Sequence, residues 1–230
     1  MYKQLITSNR IYRITTKMII LYIACLSQNS FAQKQVIKPD ISRSRRFQLV
    51  NRKITISTNK DGKAIVHLDS KPNQGIAWIK GLTFKSGNIE FDVKGKNVLQ
   101  QSFVGVAFHG LNDSTFDVVY FRPFNFQSAD AIRKSHSVQY ISLPQYDWQI
   151  LREKYPGKYE NALSSTIEPE SWFHAKITVK ANNIVVYVNN DIKPALTITP
   201  LTNRTVGNIG FWAGNNSDGD FSNLTIQNKR

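Results

Sequence analysis

The sequence predicts an all-β fold, an antiparallel β-sandwich with one short inserted helix. Three observations carry this. From Phe47 to Gln227 the chain is a series of short runs rich in Val, Ile, Phe, Tyr and Thr. Turn-like breaks divide them, such as "NKDGK" (59–63), "KSGN" (85–88), "GLNDS" (110–114) and "NNSDGD" (215–220). Finally, two runs alternate cleanly. In "WFHAKITVK", Phe173, Ala175, Ile177 and Val179 oppose His174, Lys176, Thr178 and Lys180; in "GNIEFDVKG", Ile89, Phe91 and Val93 oppose Glu90, Asp92 and Lys94. Such strands have one buried and one wet face, as in the sheets of a sandwich. Many short strands at this spacing argue against a βαβ arrangement.

The elements follow in order. Residues 1–32 carry Lys3, Arg10, Arg13 and Lys17 with no acidic residue, then the apolar run "MIILYIACL" (18–26) and a small-x-small site at Ser30-Phe31-Ala32. This describes a secretory signal peptide cut before Gln33. The run is well short of the roughly 20 apolar residues that span a bilayer. A secreted or periplasmic protein is expected, without a transmembrane segment. The less favoured alternative is a lipid anchor on Cys25, since "YIAC" partly looks like a lipobox, although Tyr22 suits it poorly. Residues 33–46 read as a linker, and 47–230 as one domain.

Within that domain strands are expected at 47–57, 63–70, 75–84, 88–94, 102–109, 116–123, 137–142, 172–181, 183–190, 195–200, 207–213 and 220–227. The helix is expected in "PQYDWQILREKYPGKYE" (144–160), where Trp148, Leu151, Arg152 and Tyr155 fall at helical spacing before Pro156-Gly157. It would cap exposed core or cover a cleft.

Cys25 is the only cysteine, so a chain starting at Gln33 has no disulfide and no cysteine-based metal site. The whole chain has 30 Lys+Arg and 16 Asp+Glu; without the four basic residues of the leader, 26 against 16 leaves +10. That surface favours anionic partners. The cluster "SRSRRF" (42–47), with Arg52 and Lys53, reads as a solvated basic arm. Export and the lack of a nucleic-acid motif argue against nucleic acid as partner.

The text "WFHAKITVKANNIVVYVNN", then "PALTITPL", then "GNIGFWAGNNSDGDFSNLTI" resembles the C-terminal half of concanavalin A-like lectin/glucanase jelly rolls. It is similar to the laminin G-like and 3-keto-disaccharide hydrolase-like (family 16-like) domains of exported bacterial proteins. "SGNIEFDVKG" and "FVGVAFHG" resemble earlier strands of the same fold, so the likeness runs from about Phe47 to Gln227. It implies a concanavalin A-like jelly roll and leaves the activity open, because the superfamily holds lectins, hydrolases, lyases and modules without chemistry.

Family 16 glucanases use Glu-x-Asp-x-x-Glu on one strand. Here Glu90 and Asp92 match the first two positions of that pattern and Gly95 takes the third, so the acid/base position is missing. Glu90 and Asp92 are expected on a solvated face beside lysines. The four histidines (His67, His109, His136, His174) lack ligand spacing, and Asn216, Asp218 and Asp220 read as a tight turn rather than a calcium loop. No cofactor or metal is expected.

Period-2 geometry raises a groove instead. Gly105, Ala107 and His109 share a face opposite Val104, Val106 and Phe108; Val118, Tyr120 and Arg122 share another; Gly210 and Trp212 oppose Ile209, Phe211 and Ala213; His136, Val138 and Tyr140 share a fourth. On one sheet these would make a groove floored by Gly105, Ala107 and Gly210. The candidate ligand-binding residues are His109, Tyr120, Arg122, Asn125, Tyr140, Trp148 and Trp212. Rings would stack on the C–H face of a sugar, and the arginine fork would suit a uronate or sulfate. The concave sheet is also where the resemblance implies glycan binding. Arg122 is equally readable as a buried partner of Asp117, Asp130 or Glu153. The expected partner is a poly- or oligosaccharide, with anionic ones included. A hydrolase or lyase is the alternative, and an interaction domain whose groove is filled by its own loop, 124–160, is a third reading.

Overall fold

A computed structural model describes residues 36–228. The expected leader, with Cys25, lies outside the described residues, as does the start of the expected linker. Two antiparallel sheets pack face to face.

The strands are β1 (Val36–Ile37), β2 (Phe47–Val50), β3 (Ile54–Thr58), β4 (Ala64–Leu68), β5 (Gly75–Phe84), β6 (Gly87–Lys94), β7 (Val104–Asn112) and β8 (Thr115–Phe121). They continue as β9 (Val138–Ser142), β10 (Glu160–Asn161), β11 (Phe173–Val179), β12 (Ile184–Val188), β13 (Leu196–Ile198), β14 (Gly207–Ala213) and β15 (Gly219–Asn228). The eight-stranded sheet has the order β13-β12-β11-β6-β15-β4-β3, with β1 also on β15. The seven-stranded sheet has the order β10-β9-β8-β7-β14-β5-β2. The fold is the expected jelly-roll sandwich.

The alternation read from the sequence places the core. Phe173, Ala175, Ile177 and Val179 of β11 are buried between half-exposed neighbours, and β6 repeats this with Ile89, Phe91 and Val93. Rings join the layers: Phe211 of β14 stacks on Phe221 of β15 at 4.7 Å, and Phe121 of β8 meets Phe173 edge-on at 5.0 Å. Strands β7, β8 and β9 differ, because they are buried on both faces for most of their length. Their outward face is covered in part by the excursion between β8 and β11.

That excursion holds two short helices among the described residues, where one was expected. Helix α1 (Ala131–Ser135) is capped by Asp130, whose carboxylate accepts from the Ile132 and Arg133 amides. Helix α2 (Trp148–Lys154) is the expected one, capped by Asp147 accepting from Ile150 N at 2.9 Å. It buries Leu151 and packs against β9.

Three expectations change. The single strand at 47–57 is two, one in each sheet, because the chain turns at Asn51 (φ 48°) and Arg52. Arg52 is not part of a solvated arm. It is 3% exposed, and its guanidinium donates to the carbonyls of Asn51, Asn73, Ala213 and Gly214 at 2.6–3.1 Å. Four carbonyl dipoles hold the charge where no carboxylate does. Within the expected linker, Val36 and Ile37 pair with Gln227 and Ile226.

Candidate functional site

The outward face of the seven-stranded sheet carries one cross-strand row. Trp212 pairs with Gly105, Gly105 with Tyr120, and Tyr120 with Gln139, so β14, β7, β8 and β9 each contribute one residue to it. Glycine is required in this row. A Cβ on Gly105 would lie 2.6 Å from the Tyr120 Cα and against the Val119 carbonyl oxygen. Across the gap the Trp212 and Tyr120 rings come together, 5.0 Å between centroids at 44°. Both are almost fully buried, so they form a floor rather than free-standing platforms. Trp212 Nε1 donates to Gln74 Oε1 at 3.1 Å, and the Tyr120 hydroxyl donates to Gln139 Oε1 at 2.7 Å.

Above this row lies a cleft of about 850 Å³, within the ~300–1,000 Å³ usual for small-molecule sites. One end is neutral, with Asn73, Gln74, Gln100 and Asn215 beside Trp212. The other carries Arg122, Arg133 and Arg152, with His136, Asp147, Trp148 and Asn125 beside them. The segment 124–160 therefore walls the cleft without filling it.

Arg122 stands in the wall and is held from within. One terminal nitrogen donates to the His136 carbonyl at 2.8 Å; the other donates to the Tyr120 hydroxyl at 2.6 Å and also to Gln139 Oε1. Its guanidinium carbon lies 4.8 Å from the Tyr120 ring centre. The carboxylate that meets it is Glu160, at 3.7 Å, rather than Asp117, Asp130 or Glu153. Burial pulls the guanidinium below its ordinary pKa, opposed by the Tyr120 oxygen and Glu160. Glu160 in turn takes a bidentate pair from Arg152, Nε at 3.0 Å and the terminal nitrogen at 2.9 Å. The Arg152 guanidinium lies 5.3 Å from the centre of the Trp148 ring, which is 48% exposed at the cleft mouth. His136 Nδ1 lies 2.9 Å from Glu160 without hydrogen-bond alignment. Burial, then Arg152 and Arg122, push its pKa down against the pull of Glu160. Asn125 is 3% exposed, and its Oδ1 has no partner.

Of the seven expected residues, the cleft gathers Tyr120, Arg122, Asn125, Trp148 and Trp212. His109 and Tyr140 lie elsewhere, and this corrects the groove read from the sequence. The β7–β8 register shifts after Phe108, and His109 adopts φ 53°, so parity fails at that residue. Its ring stacks on Phe84, with Nδ1 3.1 Å from Asp117 Oδ2 and Nε2 2.8 Å from the Lys85 carbonyl. Tyr140 pairs with Val119 and so shares the inter-sheet face; its hydroxyl donates to Asp117 at 3.0 Å. His136 borders the cleft but caps α1 and precedes β9, so its orientation does not carry into the strand, where Gln139 and Ile141 take the outward face. Gln139, Arg133 and Glu160 were missed. For Glu160 nothing short of tertiary packing gives a signal.

The other candidate chemistries lie on the eight-stranded sheet. Asp92 is 2.8 Å from His174 and accepts from Asn223, while Glu90 is 3.5 Å from Lys176. In the "NNSDGD" loop, Lys96 Nζ is 2.5 Å from Asp218, and His67 is 2.7 Å from Asp220. Lysines and histidine rings thus already occupy these carboxylates. No group of three or more metal-ligating side chains gathers among the described residues.

No family model matches the sequence, and no curated protein matches it. Among solved structures the chain is similar to the carbohydrate-binding module CBM66 from Bacillus subtilis, with 11% identity, 78% of this chain and 98% of that one covered, and a TM-score of 0.51. It is also similar to a protein of unknown function with a galectin-like fold from Bacillus subtilis, with 13% identity, 84% and 98% covered, and a TM-score of 0.52. The exoplasmic/lumenal domain of VIP36, in a Ca2+- and Man3GlcNAc-bound form, gives 12% identity, 86% and 91% covered, and a TM-score of 0.50. At such identities the likeness is one of fold. The chain has the concanavalin A-like jelly-roll fold.

Proposed function

We propose that the chain is an exported carbohydrate-binding protein that holds a poly- or oligosaccharide, anionic ones included, in the cleft of its seven-stranded sheet. The observation that carries this reading is the make-up of that cleft. An aromatic floor, Trp212 and Tyr120, closes over Gly105, and an exposed ring, Trp148, stands at the mouth. Amides line one end and arginines the other. Sugars need this combination, because apolar C–H faces pack on rings while hydroxyls take planar donors and acceptors. Solved jelly rolls that include a carbohydrate-binding module and a glycan-bound lumenal domain support it by likeness of fold. The basic leader with its short apolar run supports export.

Binding is preferred over turnover for a physical reason. Hydrolysis by two carboxylates needs both of them free to flank the glycosidic bond. Asp147 caps α2, and Glu160 is clamped by Arg152 and faced by Arg122. A hydrolase or lyase of the 3-keto-disaccharide hydrolase-like type is the alternative, and release of product from a bound glycan would select it. The interaction-domain reading is disfavoured by the open cleft.

The test is a screen of the purified chain against neutral, uronic and sulfated oligosaccharides, followed by tryptophan-fluorescence titration. Saturable binding is expected, weakened about tenfold or more by Trp148→Ala with an unchanged melting temperature. Silence across the whole panel would sink the reading.

A further inference from the structure

Resting on that reading, we infer that the cleft recognises an acidic sugar at its α1–α2 end, and that Arg133 of α1, rather than Arg122, receives the anionic group. Three arginines line this end of the cleft, and they are not equivalent. Arg122 is engaged by Tyr120, Gln139 and the His136 carbonyl. Arg152 is clamped to both oxygens of Glu160. Arg133 has neither kind of tie. Its Nε is buried and without a hydrogen-bond partner, and no carboxylate among the described residues forms an ion pair with it. Asp130, three residues before it, is occupied at the start of α1 by the Ile132 and Arg133 amides.

Charge balance points the same way. The side chains that line the cleft include Arg122, Arg133 and Arg152 but only one carboxylate, Asp147, and Glu160 behind them meets Arg122 and Arg152, not Arg133. A partly desolvated guanidinium with unfilled donors is best satisfied by a carboxylate or sulfate, whose paired oxygens match its fork. Asn125 supplies the neighbouring contact. Its buried, unpartnered Oδ1 borders the same cleft and would accept from a hydroxyl of the same sugar ring. The opposite end, lined by amides around Trp212, would hold a neutral or hydroxyl-rich part of the chain. The cleft therefore has a polarity, with the acidic residue of the glycan beside Trp148 and Arg133.

The experiment uses matched pairs that differ only in charge. The probes are tetragalacturonic acid and its carboxyl-reduced form, and a chondroitin sulfate tetrasaccharide and its desulfated form. Calorimetric titration of the wild-type chain is expected to favour an acidic member over its neutral counterpart by about tenfold or more. The pair that shows the preference tells carboxylate from sulfate. Arg133→Gln, on an exposed helix, should keep the melting temperature, remove the preference and weaken the acidic member about tenfold more than the neutral one. Arg133→Lys should restore part of the preference, because charge returns without the fork. Equal affinity for the acidic and neutral members in both pairs overturns the inference while leaving the glycan reading intact. So does a loss in Arg133→Gln that is the same for neutral and acidic probes. Absence of binding by all four probes overturns it, and silence across the wider neutral, uronic and sulfated panel overturns that reading as well.

Discussion

Asp117 shows how a single buried charge is held in this sandwich. It is 2% exposed, and its two oxygens take the Tyr140 hydroxyl, the Ser142 hydroxyl at 2.7 Å, Arg204 at 2.7 Å and a contact from His109. Burial alone would raise its pKa; bonds from His109 and Ser142 and the Arg204 charge outweigh it, so the carboxyl lies below its usual range. The folded state therefore prefers the ionised form, and its contribution to stability is complete above the unfolded pKa near 4. It is lost as pH falls through the lower, folded value. Asp117→Asn should cost about 3–5 kcal/mol at neutral pH, as for one partner removed from a buried pair. The gap in melting temperature between wild type and variant should be widest near neutrality and narrow in acid. A gap independent of pH would remove the carboxylate's charge from the account. The two misplaced site residues, His109 and Tyr140, both end in this network, which composition and parity could not announce. Each is an aromatic polar residue on a strand that also serves the cleft, and only register decides which face it takes.

Helix α2 acts as a strut. Its N-cap, Asp147, and its pair between Arg152 and Glu160 fix it at both ends, with Leu151 buried between. Asp147→Ala should cost about 1 kcal/mol and raise amide hydrogen exchange in 148–154 above that in β9. Unaltered exchange there would mean that packing of Leu151 holds the helix by itself. This element was legible in sequence because helical spacing and the following Pro-Gly agree over one continuous stretch. Strands β5 and β14 were equally plain, bounded by residues that break them. The exceptions have a common cause. The corner between β2 and β3 depends on Arg52 meeting three carbonyls distant in sequence, those of Asn73, Ala213 and Gly214, and β1 and β10 are two-residue strands that exist only because β15 and β9 are there to pair with them. In the cleft, the glycine gap and the Tyr120–Arg122 parity were readable locally. The Glu160 clamp and the unpaired state of Arg133 required the folded chain.

At the scale of the molecule, the two sheets divide the chemistry. The eight-stranded sheet turns outward a face of mutually compensated charges, His174 with Asp92 and Lys176 with Glu90, while the seven-stranded sheet carries the cleft. A sheet whose carboxylates already meet cations has little to offer an anion, so a charged ligand is directed to one side only. Screening of this contrast gives a further check: binding of an acidic probe should weaken as ionic strength rises, and binding of its neutral counterpart should not. Salt sensitivity shared by both would point to folding rather than recognition. The pairing of Val36 with Gln227 and Ile37 with Ile226 has one more outcome. It brings the two ends of the described chain to adjacent rungs of one ladder, about 5 Å apart, so the order in which the strands are written in the gene is not the order the architecture needs. A permuted gene that fuses these ends and opens instead at the exposed 60–62 turn should fold to the same sandwich with the same cleft.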